Sequence, residues 1–219
     1  MTKLAVFDCD GTLVDSQADV LWSMAQAFEL ARLPLPDPAQ VRRLVGLSLP
    51  VAIRELAADA DEHQQLEVTE NYKTAFRSRR EEGLLREPLY DGMADLLHAL
   101  YADGWSLAVA TGKSDRGLKA CLASHGLIEL FVSLQTADRH PSKPHPAMLE
   151  AALFEGGAQP SDAVMIGDTS FDMQMASAAR VRAIGVTWGY HSPEELTATG
   201  ADVVADTMDD LRAELGRFG

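Results

Sequence analysis

Short apolar runs recur along the chain between longer stretches with helical periodicity, and this alternation predicts strands separated by helices. The first run, Leu4–Phe7, is continuously apolar, which is typical of a strand buried on both faces of a parallel sheet. Later strands are predicted near residues 105–110, 131–134, 163–166, 182–186 and 203–204. Strands that alternate with helices favour an α/β fold with a doubly wound, Rossmann-like parallel sheet and helices on both faces.

The segment from residue 16 to residue 84 departs from this alternation and predicts helices only. In its first helix, over residues 16–33, apolar residues share one face, Ser16 is predicted to cap the N-terminus, and Asp19 takes the third helical position. Later helices are predicted near residues 38–46, 48–57 and 67–82. An all-helical segment directly after the first strand indicates an insertion into the α/β fold.

The predicted first strand has no neighbour of its own, so it must pair with strands that follow the insertion. The chain is therefore predicted to form an α/β core domain from residues 1–15 and 85–219 and an α-helical cap domain from residues 16–84. A chain of 219 residues, of which 47% are hydrophobic, is long enough for such a core with a smaller insert.

The charge of the chain limits its partners. With 19 basic and 33 acidic residues the formal net charge is −14, which repels nucleic acid and anionic lipid. No apolar run is long enough to span a membrane, the short N-terminal run does not fit a signal peptide, and Cys9 and Cys121 give no disulfide framework. We therefore expect a cytoplasmic protein that binds no nucleic acid and no membrane. The oligomeric state does not follow from these features, and a monomer or weak homodimer is our expectation.

Polar side chains follow the predicted strands at their carboxyl ends, where ligands bind in open parallel sheets. In chain order these are Asp8, Asp10, Thr111, Lys143, Asp168 and Asp172. Asp8 and Asp10 repel each other, and a hard divalent cation with oxygen ligands would hold them together. Because the whole chain is acidic, a phosphate ester would also need a local cation, and Lys143 is the candidate.

Each of these residues also has an ordinary structural interpretation. Asp and Gly are common where strands end, Thr111 can simply terminate a strand, Lys143 is compatible with a rigid surface turn, and Asp168 can cap the next helix. The functional interpretation is favoured because all of these residues fall at one edge of the same predicted sheet.

Four motifs formed by these residues resemble those of the haloacid-dehalogenase-like hydrolase superfamily. They are DCDGTLVDS at residues 8–16, TGK at residues 111–113, KP at residues 143–144 and GDTSFD at residues 167–172. Their order and spacing match over essentially the whole chain. The helical insertion between the first two motifs resembles the small cap of the phosphoglycolate-phosphatase and β-phosphoglucomutase branch.

The resemblance implies phosphoryl transfer by way of a covalent intermediate on the protein. Asp8 is expected to attack phosphorus and form a phospho-aspartyl intermediate, while Asp10 protonates the leaving oxygen and later activates the hydrolytic water. Thr111, the Gly112 amide and Lys143 would bind the phosphoryl oxygens, and Lys143 would also pair with Asp8.

The resemblance also implies a Mg²⁺ cofactor. Its expected ligands are the Asp8 carboxylate, the backbone carbonyl of Asp10 and Asp168, with Asp172 supporting the site through water or hydrogen bonds. In the cap, Arg43, Gly46 and Ser48 are the candidate specificity residues, because the matching loop in the family faces the active site.

The expected reaction is hydrolysis of a small phosphorylated metabolite, such as phosphoglycolate, a sugar phosphate or pyrophosphate. A β-phosphoglucomutase-like phosphotransferase stays open as an alternative, although Leu47 and Ser48 follow Gly46 where such mutases usually carry an arginine. A non-catalytic phospho-accepting signalling or binding module is a further alternative, but it would need neither Asp10 as an acid nor a cap.

Overall fold

The computed structural model describes residues 2–218 and contains a sheet of six parallel strands. The strands are β1 Leu4–Phe7, β2 Ser106–Thr111, β3 Phe131–Thr136, β4 Ala163–Gly167, β5 Arg182–Val186 and β6 Val203–Ala205. In space they lie in the order β3-β2-β1-β4-β5-β6, and each neighbouring pair is parallel. The prediction of a doubly wound parallel sheet is confirmed.

Helices connect the strands and also form the insertion after β1. The insertion holds α1 Gln17–Leu30, α2 Pro38–Leu44, α3 Leu49–Leu56 and α4 Glu62–Glu81. The remaining helices are α5 Met93–Ala102, α6 Asp115–Ser124, α7 Ala147–Gly156, α8 Ser170–Ala179, α9 Pro193–Ala198 and α10 Met208–Gly216. Within residues 2–218, none of the helices combines the length and the apolar character that crossing a membrane requires.

Helices cover both faces of the sheet. Leu4 and Val6 of β1 pack into one hydrophobic cluster with α7, α8 and α9, whereas Ala5 and Phe7 pack into another with α5, α6 and α10. Successive side chains of a strand point to opposite faces, so a strand covered on both sides needs an apolar residue at every position. All four residues of β1 are fully buried, which explains its continuous apolar run.

The inserted helices α1–α4 build a third hydrophobic cluster, distinct from the two on the sheet. Its most buried members include Val20, Met24, Ala27, Phe28, Val41, Ile53 and Val68. The fourth helix begins at Glu62 rather than at residue 67 as predicted. The reason is a capping box, in which the Asp61 carboxylate accepts from the Gln64 amide at 2.9 Å and the Gln64 side chain accepts from the Asp61 amide at 3.1 Å.

The start of α1 differs from the prediction. Ser16 precedes the helix but makes no capping hydrogen bond, and its hydroxyl donates to Asp10 instead, so the prediction of a Ser16 cap was wrong. Asp19 is fully buried and accepts hydrogen bonds of 2.6 Å from Arg79 Nε and 2.6 Å from the Arg86 amide. These bonds tie α1 to α4 and to the segment that follows α4.

The two segments that connect the insertion to the sheet pair with each other. The Asp15 amide donates to the Pro88 carbonyl at 2.9 Å, and the Tyr90 amide donates to the Leu13 carbonyl at 3.1 Å. Between them, Val14 and Leu89 form an antiparallel bridge. The chain therefore leaves and re-enters the sheet region at one place.

We expect Arg79→Met to lower the free energy of unfolding by about 3 kcal/mol, because it leaves the buried Asp19 carboxylate without its charged partner. The Arg79 and Asp19 side chains are 20% and 0% exposed. Arg77→Met is the matched control, since Arg77 lies on the same helix and is exposed, and it should change stability by less than about 0.5 kcal/mol. Urea denaturation followed by circular dichroism measures both, and equal effects would contradict the assigned ion pair.

Candidate active site

The site lies where the strand order reverses, which is where open α/β sheets bind ligands. After β1 the chain proceeds outward through β2 and β3, whereas β4, β5 and β6 extend in the other direction. Phe7 and Ile166 are paired across β1 and β4, and the Asp8 amide donates to the Ile166 carbonyl at 2.9 Å. Asp8 and Asp168 therefore emerge side by side.

Three buried carboxylates meet at this point. Asp8, Asp168 and Asp172 each offer an oxygen that lies within 4.8 Å of the others. Asp168 accepts from the Thr12 hydroxyl at 2.8 Å and from the Tyr190 amide at 2.9 Å. The structure thus brings together the strand-end carboxylates that the sequence placed at one sheet edge.

Asp172 lies in the first turn of α8, and Thr169 is the residue that caps this helix. The Thr169 hydroxyl donates to Asp172 Oδ2 at 2.7 Å, and the two residues form the capping box of α8. The other Asp172 oxygen accepts from Lys143 Nζ at 2.6 Å. Both Asp172 oxygens are thus engaged by protein groups, so its contribution to the cluster is charge and orientation.

Lys143 is the cation of the cluster. Its ammonium lies 3.0 Å from Asp8 Oδ1 and 2.6 Å from Asp172 Oδ1, and the side chain is fully buried. Burial lowers the pKa of Lys143, but the Asp172 and Asp8 carboxylates outweigh that effect and hold the pKa above its usual value. Lys143 therefore stays charged between the two acids.

The cluster contains more carboxylates than ammonium groups, and this imbalance disfavours the ionised form of the acids. Burial, with a smaller contribution from Asp172, raises the pKa of Asp8 to about 7 against the opposing effect of Lys143. Burial and the neighbouring Asp8 and Asp172 likewise raise the pKa of Asp168 well above its usual value. Asp8 Oδ2 is buried and has no hydrogen-bond partner among residues 2–218. Three buried carboxylates with a single ammonium group among them fit a hard divalent cation with oxygen ligands.

Two glycines make room for Asp168. A Cβ atom on Gly11, which has a φ of +83°, would lie 2.2 Å from Asp168 Oδ2, and a Cβ atom on Gly189 would also lie 2.2 Å from that oxygen. No larger residue fits at either position without moving the carboxylate. Gly189 was not among the residues predicted from the sequence, because its closeness to Asp168 depends on tertiary packing.

Asp10 lies beside the cluster rather than within it. Its carboxylate Oδ1 accepts from the Ser16 hydroxyl and lies 2.9 Å from Lys113 Nζ. Lys113, whose side chain is 9% exposed, is a second cation at this edge, and the sequence motif that contains it predicted no role for it. Burial lowers the pKa of Lys113, but Asp10 and Glu87 outweigh this and hold it well above its usual value.

The second strand brings Thr111 and Gly112 to the same edge. Thr111 ends β2 almost fully buried, and its hydroxyl accepts from the Lys113 amide at 3.3 Å. A Cβ atom on Gly112 would lie 2.4 Å from the Leu47 carbonyl oxygen and 2.8 Å from that of Gly46. The α2–α3 loop of the insertion therefore rests directly on the motif after β2.

Of the three predicted cap residues, two lie at this edge. Gly46, with a φ of +98°, packs against Thr169, and the Ser48 amide donates to the Ser142 hydroxyl at 2.9 Å. The Arg43 guanidinium instead pairs with Glu195 at 2.6 Å on α9 and is 62% exposed. The structure therefore places the Arg43 side chain on the outer side of the contact between insertion and sheet.

Comparisons with known proteins agree with this geometry. A family profile described as "Haloacid dehalogenase-like hydrolase" matches residues 5–186. "Probable phosphatase IndB" of Dickeya dadantii (strain 3937) is 35% identical over 216 residues, covering 96% of this chain and 92% of that protein. The phosphoglycolate phosphatase of Vibrio vulnificus (strain YJ016) is 30% identical over 219 residues, covering 95% of this chain and 94% of that protein. The crystal structure of a "predicted phosphatase" from Clostridium acetobutylicum superposes with a TM-score of 0.87 at 27% identity and 98% coverage of both chains.

We expect Mg²⁺ to stabilise this protein against unfolding and Gly189→Ala to remove that effect, because the added methyl group would displace the Asp168 carboxylate. At ten times its dissociation constant, Mg²⁺ should stabilise the wild type by about 1.4 kcal/mol, which raises Tm by roughly 3–6 °C. Thermal unfolding with and without MgCl₂ measures this shift. Gly216→Ala, at a position open to solvent, is the control that should retain it. A full Mg²⁺ shift in Gly189→Ala would contradict the assigned site.

Proposed function

This chain belongs to the haloacid dehalogenase-like hydrolase family and is a phosphatase, and we propose that it hydrolyses a small phosphomonoester through a phospho-aspartyl intermediate on Asp8. The observation that carries this proposal is the Asp8 carboxylate. One oxygen is held by Lys143 at 3.0 Å, and the other is buried without a hydrogen-bond partner in residues 2–218. A carboxylate oriented through one oxygen and free at the other suits a nucleophile.

In the proposed first step, Asp8 Oδ2 forms a bond to phosphorus while the bond between phosphorus and the leaving oxygen breaks. Asp10 gives its proton to that leaving oxygen. In the second step, Asp10 takes a proton from water, the water oxygen attacks phosphorus, and the bond to Asp8 breaks to release inorganic phosphate. The position of Asp10, two residues after Asp8 and outside the buried cluster, supports this division of roles.

The phosphoryl group needs positive charge and hydrogen-bond donors around its oxygens. Lys143, the Thr111 hydroxyl and the Gly112 amide are the proposed donors. Thr111 ends β2, Gly112 follows it, and Lys143 lies in the loop between β3 and α7. Lys143 also reduces the repulsion between Asp8 and an incoming phosphate dianion. These contacts position the substrate and neutralise charge, which are the main contributions a protein makes to phosphoryl transfer.

Mg²⁺ is the proposed cofactor. The Asp8 carboxylate, the Asp10 backbone carbonyl and Asp168 would hold it, with Asp172 in support, and the bound ion would supply charge neutralisation for the phosphoryl oxygens. The excess of buried carboxylate over ammonium in this cluster supports the assignment.

We propose that residues 16–84 act as a cap domain over a core of residues 1–15 and 85–219, and that the loop with Gly46 and Ser48 screens the site from water. The close approach of the Gly46 and Leu47 carbonyls to Gly112 supports this role. Phosphoglycolate is the first candidate substrate, since the Vibrio vulnificus relative is a phosphoglycolate phosphatase, and small sugar phosphates are the next.

The proposed working environment is the cytoplasm. Cys9 and Cys121 are both free and buried, which suits a reducing compartment. The net charge of −14 supports small phosphorylated metabolites rather than nucleic acid or membranes as partners. We propose that the protein acts as a monomer or weak homodimer.

Phosphate release from a panel of phosphate compounds tests the proposal. The panel contains phosphoglycolate, β-glucose 1-phosphate, several sugar phosphates and pyrophosphate, each assayed with MgCl₂ and with EDTA. We expect Mg²⁺-dependent release from at least one monoester. Asp8→Asn should lower kcat/KM by at least about 10³-fold, because it removes the nucleophile, while circular dichroism shows an unchanged fold.

Asp209→Asn is the matched control for this experiment. Asp209 is an exposed acid on α10, so its amide variant should keep wild-type turnover. Wild-type turnover in Asp8→Asn would rule out the covalent mechanism. Interconversion of a sugar phosphate without phosphate release would instead identify a phosphotransferase.

A further inference from the structure

Lys113 makes contacts that the proposed reaction does not by itself explain. It follows β2, and its ammonium lies 2.9 Å from Asp10 Oδ1 and 2.7 Å from Glu87 Oε1. Its side chain is only 9% exposed, and the ammonium lies 5.4 Å from the centre of the Phe76 ring on α4. Removing an ammonium group from water costs free energy, and its contacts with the two carboxylates offset that cost.

Glu87 holds Lys113 from the opposite side. It lies in the segment between α4 and α5, its side chain is 6% exposed, and its second carboxylate oxygen accepts from Arg80 of α4 at 2.8 Å. Burial raises the pKa of Glu87, but Lys113 and Arg80 outweigh this and lower it. Alternating charges therefore run in the order Arg80, Glu87, Lys113 and Asp10.

The contacts on Asp10 fix its orientation. Both the Ser16 hydroxyl and the Lys113 ammonium contact the same carboxylate oxygen, Oδ1. Oδ2 accepts no hydrogen bond from the groups in the described part of the chain. Asp10 is thus held through Oδ1. Oδ2 stays available, as proton exchange with a substrate oxygen requires.

A purely structural role would be to tie the insertion to the sheet. Glu87 and Arg80 already make that connection without Asp10, and Asp19 makes another through Arg79 and the Arg86 amide. The additional contact of Lys113 with Asp10 connects these ion pairs to the residue that is the proposed acid and base of the reaction.

We propose that Lys113, held by Glu87, is a positioning residue that orients Asp10 Oδ2 toward the leaving oxygen of the substrate. This inference rests on the proposed function, in which Asp10 is the acid and base. It predicts that loss of Lys113 impairs proton transfer by Asp10 and leaves the attack of Asp8 on phosphorus largely intact.

Two substrates with different leaving groups separate these effects. An alkoxide must be protonated as it leaves, whereas 4-nitrophenolate leaves as a stable anion without a proton. For both, kcat/KM reports the steps up to release of the leaving group, so the later hydrolysis of the phospho-enzyme does not enter. The probes are 4-nitrophenyl phosphate and the best alkyl phosphomonoester of the panel above.

We expect Lys113→Met to lower kcat/KM for the alkyl substrate by about 10²-fold, and for 4-nitrophenyl phosphate by less than about threefold. Glu87→Gln should show the same selectivity with a smaller loss, roughly tenfold for the alkyl substrate. Stopped-flow measurements on Lys113→Met should also show a burst of nitrophenolate, because Asp10 activates water less well and the phospho-enzyme accumulates.

Lys119→Met is the matched control, since Lys119 is an exposed lysine on α6 and should leave both values unchanged. Thermal unfolding checks that each variant is folded, and Glu87→Gln carries the test if Lys113→Met is not. Equal losses on the two substrates, or no loss on either, would overturn the positioning role.

Asp10→Asn separates a failure of this inference from a failure of the proposed function. If Asp10→Asn lowers kcat/KM selectively for the alkyl substrate but Lys113→Met and Glu87→Gln do not, only the inference fails. If Asp10→Asn lowers kcat/KM equally for both substrates, or the wild type hydrolyses neither, the proposed function fails as well.

Discussion

Burying three carboxylates at one edge of a parallel sheet is the constraint on which the rest of this structure depends. Unpaired buried charge is strongly unfavourable, so each acid must be held by groups from several elements. Lys143 joins Asp8 to Asp172, and donors from two separate loops hold Asp168. The loops after β1, β3, β4 and β5 are therefore fixed relative to one another by the charges that they share.

The same constraint governs space as well as charge. Carboxylates packed this closely leave no volume for side chains on the adjoining backbone, and glycine occupies positions 11, 167 and 189 for that reason. On the insertion side, Gly112 allows the Gly46 and Leu47 carbonyls to approach the motif after β2. At Gly112, the loop between α2 and α3 and the segment after β2 consequently meet backbone to backbone.

The sheet and the buried acids could be predicted from the sequence, because each depends on local patterns. Continuous apolar runs follow from burial on both faces of a strand, and parallel strands necessarily bring their carboxyl ends to one edge. Contacts between distant residues could not be predicted in this way. Three of them depend on tertiary packing: the hydrogen bond from the Ser16 hydroxyl to Asp10 rather than to the start of α1, the ion pair of Arg43 with Glu195, and the absence of a side chain at Gly189, which leaves room for Asp168. The start of α4 at Glu62, by contrast, was predictable from the sequence, because Asp61 and Gln64 have the spacing of a capping box.

The paired segments that connect the insertion to the sheet have a consequence for how such a chain could be assembled. Leu13 and Asp15 are hydrogen-bonded to Tyr90 and Pro88, so the points of departure and return are immediate neighbours. To the sheet, the whole helical insertion is equivalent to the loop of a β-hairpin. Because closing a loop whose ends already touch costs little more entropy as it lengthens, helices of very different number could be exchanged there while the sheet stays unchanged. The architecture therefore separates two evolutionary problems, the chemistry at the sheet edge and the shape of what covers it.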